Sequence, residues 1–70
     1  MSSQEFLSQL QKILETDTLT DDEPIQPVTW DSIEVLGTIT LIDKAGKVVK
    51  IPDILGCRSV GDLMRLAGTR

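Results

Sequence analysis

Fifteen residues decide which fold classes are open to this chain: Asp31 to Ala45, DSIEVLGTITLIDKA. As strands, they gain from a high content of β-branched residues, and "DKAGK" has the look of a turn leading into "VVKI". Local propensity alone leans slightly toward such a hairpin. The alternation is poor, however, because Val35 and Leu36 are both apolar, as are Leu41 and Ile42, where a half-buried strand would alternate. As a helix, the segment puts Val35, Ile39 and Ile42 on one stripe with Ile33 and Leu36 beside it. Glu34, Thr38 and Thr40 then turn outward or to the edge. Asp31 becomes the N-cap and Glu34 its partner at the third helical position, a capping box, and Gly46 stops the helix. Periodicity and caps favour the helix. Gly37 and the threonines oppose it.

The flanking segments are easier to read. Phe6, Leu10, Ile13 and Leu14 recur at three- and four-residue spacing, with Leu7 widening the stripe, which predicts an amphipathic helix over Ser3–Glu15. Ser2 and Glu5 have capping-box spacing at its start. Next comes "TDTLTDDEPIQPVT", acidic and Thr-rich, with two prolines that remove amide donors and oppose regular structure. Leu19, Ile25 and Val28 are placed to peg this loop onto a core. Such a loop is long for so small a chain and is expected to pack or to function. After Gly46 a loop with a short helical turn following Pro52 is expected. A last short helix over Ser59–Ala67 is capped by Ser59, carries Asp62 at its third position and ends at Gly68. Its apolar face is Val60, Leu63, Met64 and Ala67.

Seventy residues allow one small domain with a modest core. Phe6 and Trp30 are its only aromatics, so that core must be aliphatic. The single cysteine, Cys57, and the lack of histidine rule out an internal disulfide and a Cys/His zinc site within one chain. Cys57 reads as a buried, apolar-like residue in a reducing compartment. Eleven acids against seven bases give a net charge of −4, which argues against nucleic acid as partner. Lys44, Lys47 and Lys50 form only a small basic patch, flanked by Asp43 and Asp53. No signal peptide or membrane span is visible, and the chain reads as cytoplasmic, with no membrane partner. A chain this poor in acid–base groups is expected not to be an enzyme, but to carry something for enzymes.

Two stretches carry a resemblance. "WDSIEVL", followed later by "CRSVGDLMRLAG", resembles the acyl carrier proteins and the carrier domains of polyketide and nonribosomal peptide assembly lines. In that family an Asp-Ser-Leu type motif opens the second helix and a Ser/Thr-Val-Gly-Asp-Leu segment opens the last. The amphipathic first helix and the acidic loop also match, so the likeness spans nearly the whole chain. It implies an all-α fold, a small antiparallel bundle of three longer helices and one short one, and so a helix after Asp31.

The resemblance further implies that Ser32 carries a covalent 4′-phosphopantetheine arm. A phosphopantetheinyl transferase adds it from coenzyme A with magnesium, and its thiol holds an acyl or aminoacyl thioester. Asp31 then serves both as helix cap and in recognition by the transferase. Ile33, Glu34 and Leu36 are the expected contacts for acyl-transferring or condensing enzymes, and the carrier is expected to be a monomer. Ser32 has a plain alternative role as a helix-start residue. Trp30 reads as a packing residue at the loop–helix junction, and Ile33, Val35, Leu36 and Ile39 as core or rim. "IDKAGK" departs from the family pattern, with lysines where acids are usual, and points to partners of its own in a specialised pathway. A bundle that works unmodified as a protein-interaction module is the alternative function.

Overall fold

A computed structural model describes all residues from Met1 to Arg70. The chain is all-helical. It has four α-helices: α1 (Ser3–Leu14), α2 (Ser32–Lys44), α3 (Ile51–Leu55) and α4 (Val60–Ala67), with a 3-10 turn at Pro27–Thr29 ahead of α2. No strands form. An isolated bridge between Pro24 and Ser59 is the only β-type pairing, so the hairpin reading of Asp31–Ala45 gives way to the helical one.

Each helix starts where a side chain can satisfy open amides. Ser2 Oγ accepts from the Glu5 amide at 3.1 Å, and Ser59 Oγ accepts from the Asp62 amide at 3.2 Å. Asp53 Oδ2 accepts from the Lys50 amide at 2.8 Å at the head of α3. That helix begins at Ile51, one residue before Pro52, whose missing amide costs nothing in the first turn. The stop signals are also local. Gly46 has φ +96°, and the amides of Gly46 and Lys47 reach back to the carbonyls of Asp43 (2.9 Å) and Ile42 (3.2 Å). The end of α1 is unusual: Glu15, not glycine, takes the left-handed conformation at φ +54°.

The core draws on every helix. Phe6 and Leu10 of α1, Val35, Leu41 and Ile42 of α2, Ile54 of α3, Cys57, and Val60, Leu63, Met64 and Ala67 of α4 form one buried cluster. With two aromatics in the chain and only Phe6 fully buried, burial of branched aliphatics supplies most of the driving force. The face of α2 differs from the expected one in two respects. Thr38, expected outward or at the edge, is 0% exposed, its hydroxyl donating to the Glu34 carbonyl at 2.9 Å. Ile33 and Leu36, read as core or rim, are 78% and 55% exposed, while Leu41 is buried. The reason is that α2 is apolar on most sides, so its own periodicity does not select a face. The neighbours α1, α3 and α4, all in contact with α2, select it.

The acidic loop is held at several points. The Ile25 amide donates to the Arg58 carbonyl and the Val60 amide to the Glu23 carbonyl, both at 3.0 Å, which ties the loop to the α3–α4 junction. Arg70 lies 3.6 Å from Asp21 Oδ2. Leu19 and Ile25 pack on the core as expected, but Val28 is exposed and Pro27 is buried in the role Val28 was expected to fill. No helix is long and apolar enough to cross a membrane.

Candidate functional site

The candidate site lies where the acidic loop becomes α2. The 3-10 turn closes with the Trp30 amide donating to the Pro27 carbonyl at 3.0 Å, and Thr29 Oγ1 donating to the Gln26 carbonyl at 2.7 Å. Trp30 is half-buried and packs against the core cluster, which anchors the chain one residue before the cap. Asp31 then turns extended, with φ −76° and ψ 172°, the backbone an N-cap needs. Its Oδ1 accepts from the Glu34 amide at 2.8 Å, and Glu34 Oε1 accepts from the Asp31 amide at 3.1 Å. Both halves of the expected capping box are therefore present.

Ser32 follows as the first residue of α2, exposed, with a hydroxyl that makes no hydrogen bond within the chain. The amides of Ser32 and Ile33 also lack protein acceptors, since the cap serves Glu34 and the first helical bond runs from the Val35 amide to the Asp31 carbonyl. A phosphodiester on Ser32 would meet two open amides and the positive end of the helix dipole, worth about 0.3–1 kcal/mol at an exposed site. Nothing covers the hydroxyl. The residues present fit a covalently attached phosphate group.

The arrangement does not activate Ser32 as a nucleophile. The chain has no histidine, and the two carboxylates beside Ser32 are engaged in the cap. No three Asp, Glu, Cys or His side chains come close enough together to hold a metal ion. Leu36, one turn along from Ser32, shares its face of the helix, and Ile33 flanks it.

The structure adds exposed apolar residues that sequence reasoning did not single out for this surface: Val28 in the 3-10 turn and Ile51 and Leu55 on α3. The 3-10 turn packs on α3, and α3 packs on α2, so three neighbouring elements leave apolar side chains open. The only signal for them in the sequence is an apolar residue that no periodic stripe requires.

Two charged or reactive groups elsewhere have structural roles. Cys57 is buried, and burial first, then the charges of Asp62 and Asp53, push its thiol up from 9.0 to about 11. Asp62, at the third position of α4, accepts from the Arg58 amide at 2.9 Å and pairs with Arg65 at 2.6 Å. The Arg58 hydrogen bond above all holds its carboxyl below the usual carboxylate range.

No family model matches the chain. Neither a curated protein nor a solved structure matches it.

Proposed function

We propose that this protein is a carrier, modified on Ser32 with 4′-phosphopantetheine by a phosphopantetheinyl transferase. When bound, the arm supplies a thiol that holds an acyl or aminoacyl group as a thioester. The observation that carries the reading is an exposed, unbonded serine hydroxyl at the first position of a helix, beside two open amides and a fully formed capping box. The chain's own part is display. Asp31 fixes where the helix begins, Trp30 holds the approach to it, and Ser32 stands clear for an enzyme that brings its own base. On modification the Ser32 oxygen forms a bond to the β-phosphorus of coenzyme A. Adenosine 3′,5′-bisphosphate leaves, and the serine proton passes to the transferase.

Asp31 also contributes to recognition by the transferase in this reading, and Ile33, Glu34 and Leu36 meet the acyl-transferring or condensing enzymes that use the carrier. Those enzymes belong to fatty acid, polyketide or specialised lipid or peptide synthesis in the cytoplasm, with the carrier acting as a monomer. The resemblance of "WDSIEVL" and "SVGDL" to acyl carrier proteins supports the same conclusion.

Intact-mass measurement after incubation with a broad-specificity transferase, coenzyme A and magnesium tests it. One added phosphopantetheine on the wild type and none on Ser32→Ala is the expected result. An unchanged wild-type mass, or equal gain in the variant, rejects it.

A second reading draws on the open apolar side chains of Ile33 and Leu36. Here the bundle works unmodified as a protein-interaction module through α2. Partner binding that is indifferent to Ser32→Ala and lost in Leu36→Asp would favour it.

A further inference from the structure

The chain has two clefts, and they differ in kind. One, bordered by Ser8, Lys12 and Asp17 among others, has no apolar wall. The other lies between the end of α1, the acidic loop and the start of α2, with a volume of about 280 Å³. Leu14, Leu19, Ile25 and Trp30 form its apolar walls, and Glu23 and Glu34 are its only charged residues. Trp30 precedes the cap and Glu34 lies in the first turn of α2, so the cleft borders the helix turn that Ser32 heads, although Ser32 itself does not line it.

Its charge is one-sided. From Glu15 to Glu34 the chain carries seven acids and no Lys or Arg. Arg58 and Arg70 touch this segment, through the Ile25 amide and Asp21, but neither lines the cleft. The Glu23 side chain makes no hydrogen bond or ion pair, although its backbone carbonyl is bound by the Val60 amide. Glu34 spends Oε1 on the cap and keeps Oε2 open. Apolar walls, an aromatic face and unneutralised carboxylates suit one ligand chemistry: a small apolar group that carries a positive charge. The ammonium gains from the carboxylates and from an aromatic face, and the side chain from the walls. An uncharged acyl chain would use only the walls, and a carboxylated one would be repelled.

We infer that this cleft holds the cargo of the carrier and that the cargo is an aminoacyl group, its ammonium facing Glu23 and Glu34 and its side chain against Leu14, Leu19, Ile25 and Trp30. The inference rests on the carrier reading for how the cargo arrives, since an arm on Ser32 starts from the helix turn that borders the cleft. Tethering makes the encounter intramolecular, at an effective concentration on the order of millimolar, so a weak site is enough.

Trp30 is the only tryptophan, so its emission reports on this cleft directly. The probes are the N-acetylcysteamine thioesters of leucine and of 4-methylpentanoic acid, which share a carbon skeleton and differ in the ammonium. Titrated into the whole unmodified protein, the leucyl thioester should change Trp30 emission and bind about three-fold more tightly than its uncharged counterpart, the ratio of one exposed ion pair. Glu23→Gln should bring that ratio near one. High salt should compress it in the wild type, which gives the same answer without a variant. Unchanged emission with both thioesters, or equal binding of the two by the wild type, overturns the inference. Ser32 takes no part in this titration. A failure of Ser32 to gain mass therefore rejects the carrier reading, and a flat titration rejects the cleft.

Discussion

Gly37 of α2 lies directly against Ile13 of α1: a Cβ added at Gly37 would stand 3.1 Å from Ile13 Cγ2. The residue that most weakens the helical reading of Asp31–Ala45 is thus the one that lets two helices approach closely. Its helix penalty, about 1 kcal/mol relative to alanine, is offset by that contact. Gly37→Ala recovers propensity while asking half-buried Ile13 to shift by a few tenths of an ångström, and should leave stability within about 1 kcal/mol of wild type. Gly37→Leu cannot be accommodated so and should cost about 1–3 kcal/mol by overpacking. Urea denaturation distinguishes the two.

Glu15 closes α1 with a positive φ of 54° and is exposed. A side chain in that conformation costs roughly 1–2 kcal/mol that glycine does not incur. Glu15→Gly should therefore raise the stability, by up to about 1 kcal/mol after the added freedom of the unfolded chain is counted. A fall in Tm would contradict this account of the helix end.

Asp31 and Ser32 are neighbours, and the carrier proposal gives them separable roles. Asp31→Ala removes the acceptor for the Glu34 amide and should cost about 1 kcal/mol of stability. Ser32→Ala touches nothing in the fold and should stay within about 0.5 kcal/mol, while losing the phosphopantetheine incorporation that the carrier proposal expects of the wild type. Thermal melts paired with intact mass separate a helix cap from an attachment point.

Thr38 is fully buried, and its hydroxyl donates to a carbonyl one turn back. In a helix that carbonyl also receives a backbone amide, so Thr38→Val strands no buried polar group and should shift stability by less than about 1.5 kcal/mol. Thr38→Asp would bury an unpaired charge or force it to protonate, and should unfold much of the population. Far-UV circular dichroism against urea reads both.

The Cys57 thiol has a folded-state pKa of about 11 against 9.0 for the free group. A raised pKa means the folded state binds the proton more tightly. The associated stability is complete below pH 9.0 and is lost as pH rises toward about 11. Two pH units correspond to roughly a hundredfold less thiolate, so iodoacetamide at mildly alkaline pH should label the native protein at least about a hundred times more slowly than the protein in urea. Equal rates would show Cys57 to be open to solvent. Cys57→Ala should flatten the alkaline loss of stability over this range.

Much of the secondary structure was legible because its signals are local. The stripe Phe6–Leu10–Ile13–Leu14, the caps at Ser2, Asp31 and Ser59, and the stops at Gly46 and Gly68 each act within a turn of their own position. The site shares this property: Asp31 and Glu34 form a unit whose bonds span three residues, with Ser32 set between them. Less was legible where the partner is distant in the chain. The attachment of Glu23 and Ile25 to Val60 and Arg58 cannot be read from a loop sequence, nor can the choice of Pro27 over Val28 as the buried residue.

By itself the sequence determined where helices start and end and which serine heads the second of them, because caps, glycine stops and heptad-like spacing depend on neighbours within a few residues. Only the tertiary structure decided that Thr38 and Leu41 face inward and Ile33 and Leu36 outward, and that a cleft forms beside Trp30. Those outcomes depend on α1, α3 and α4 burying one side of an almost uniformly apolar segment, a free energy that exists only once the elements have met.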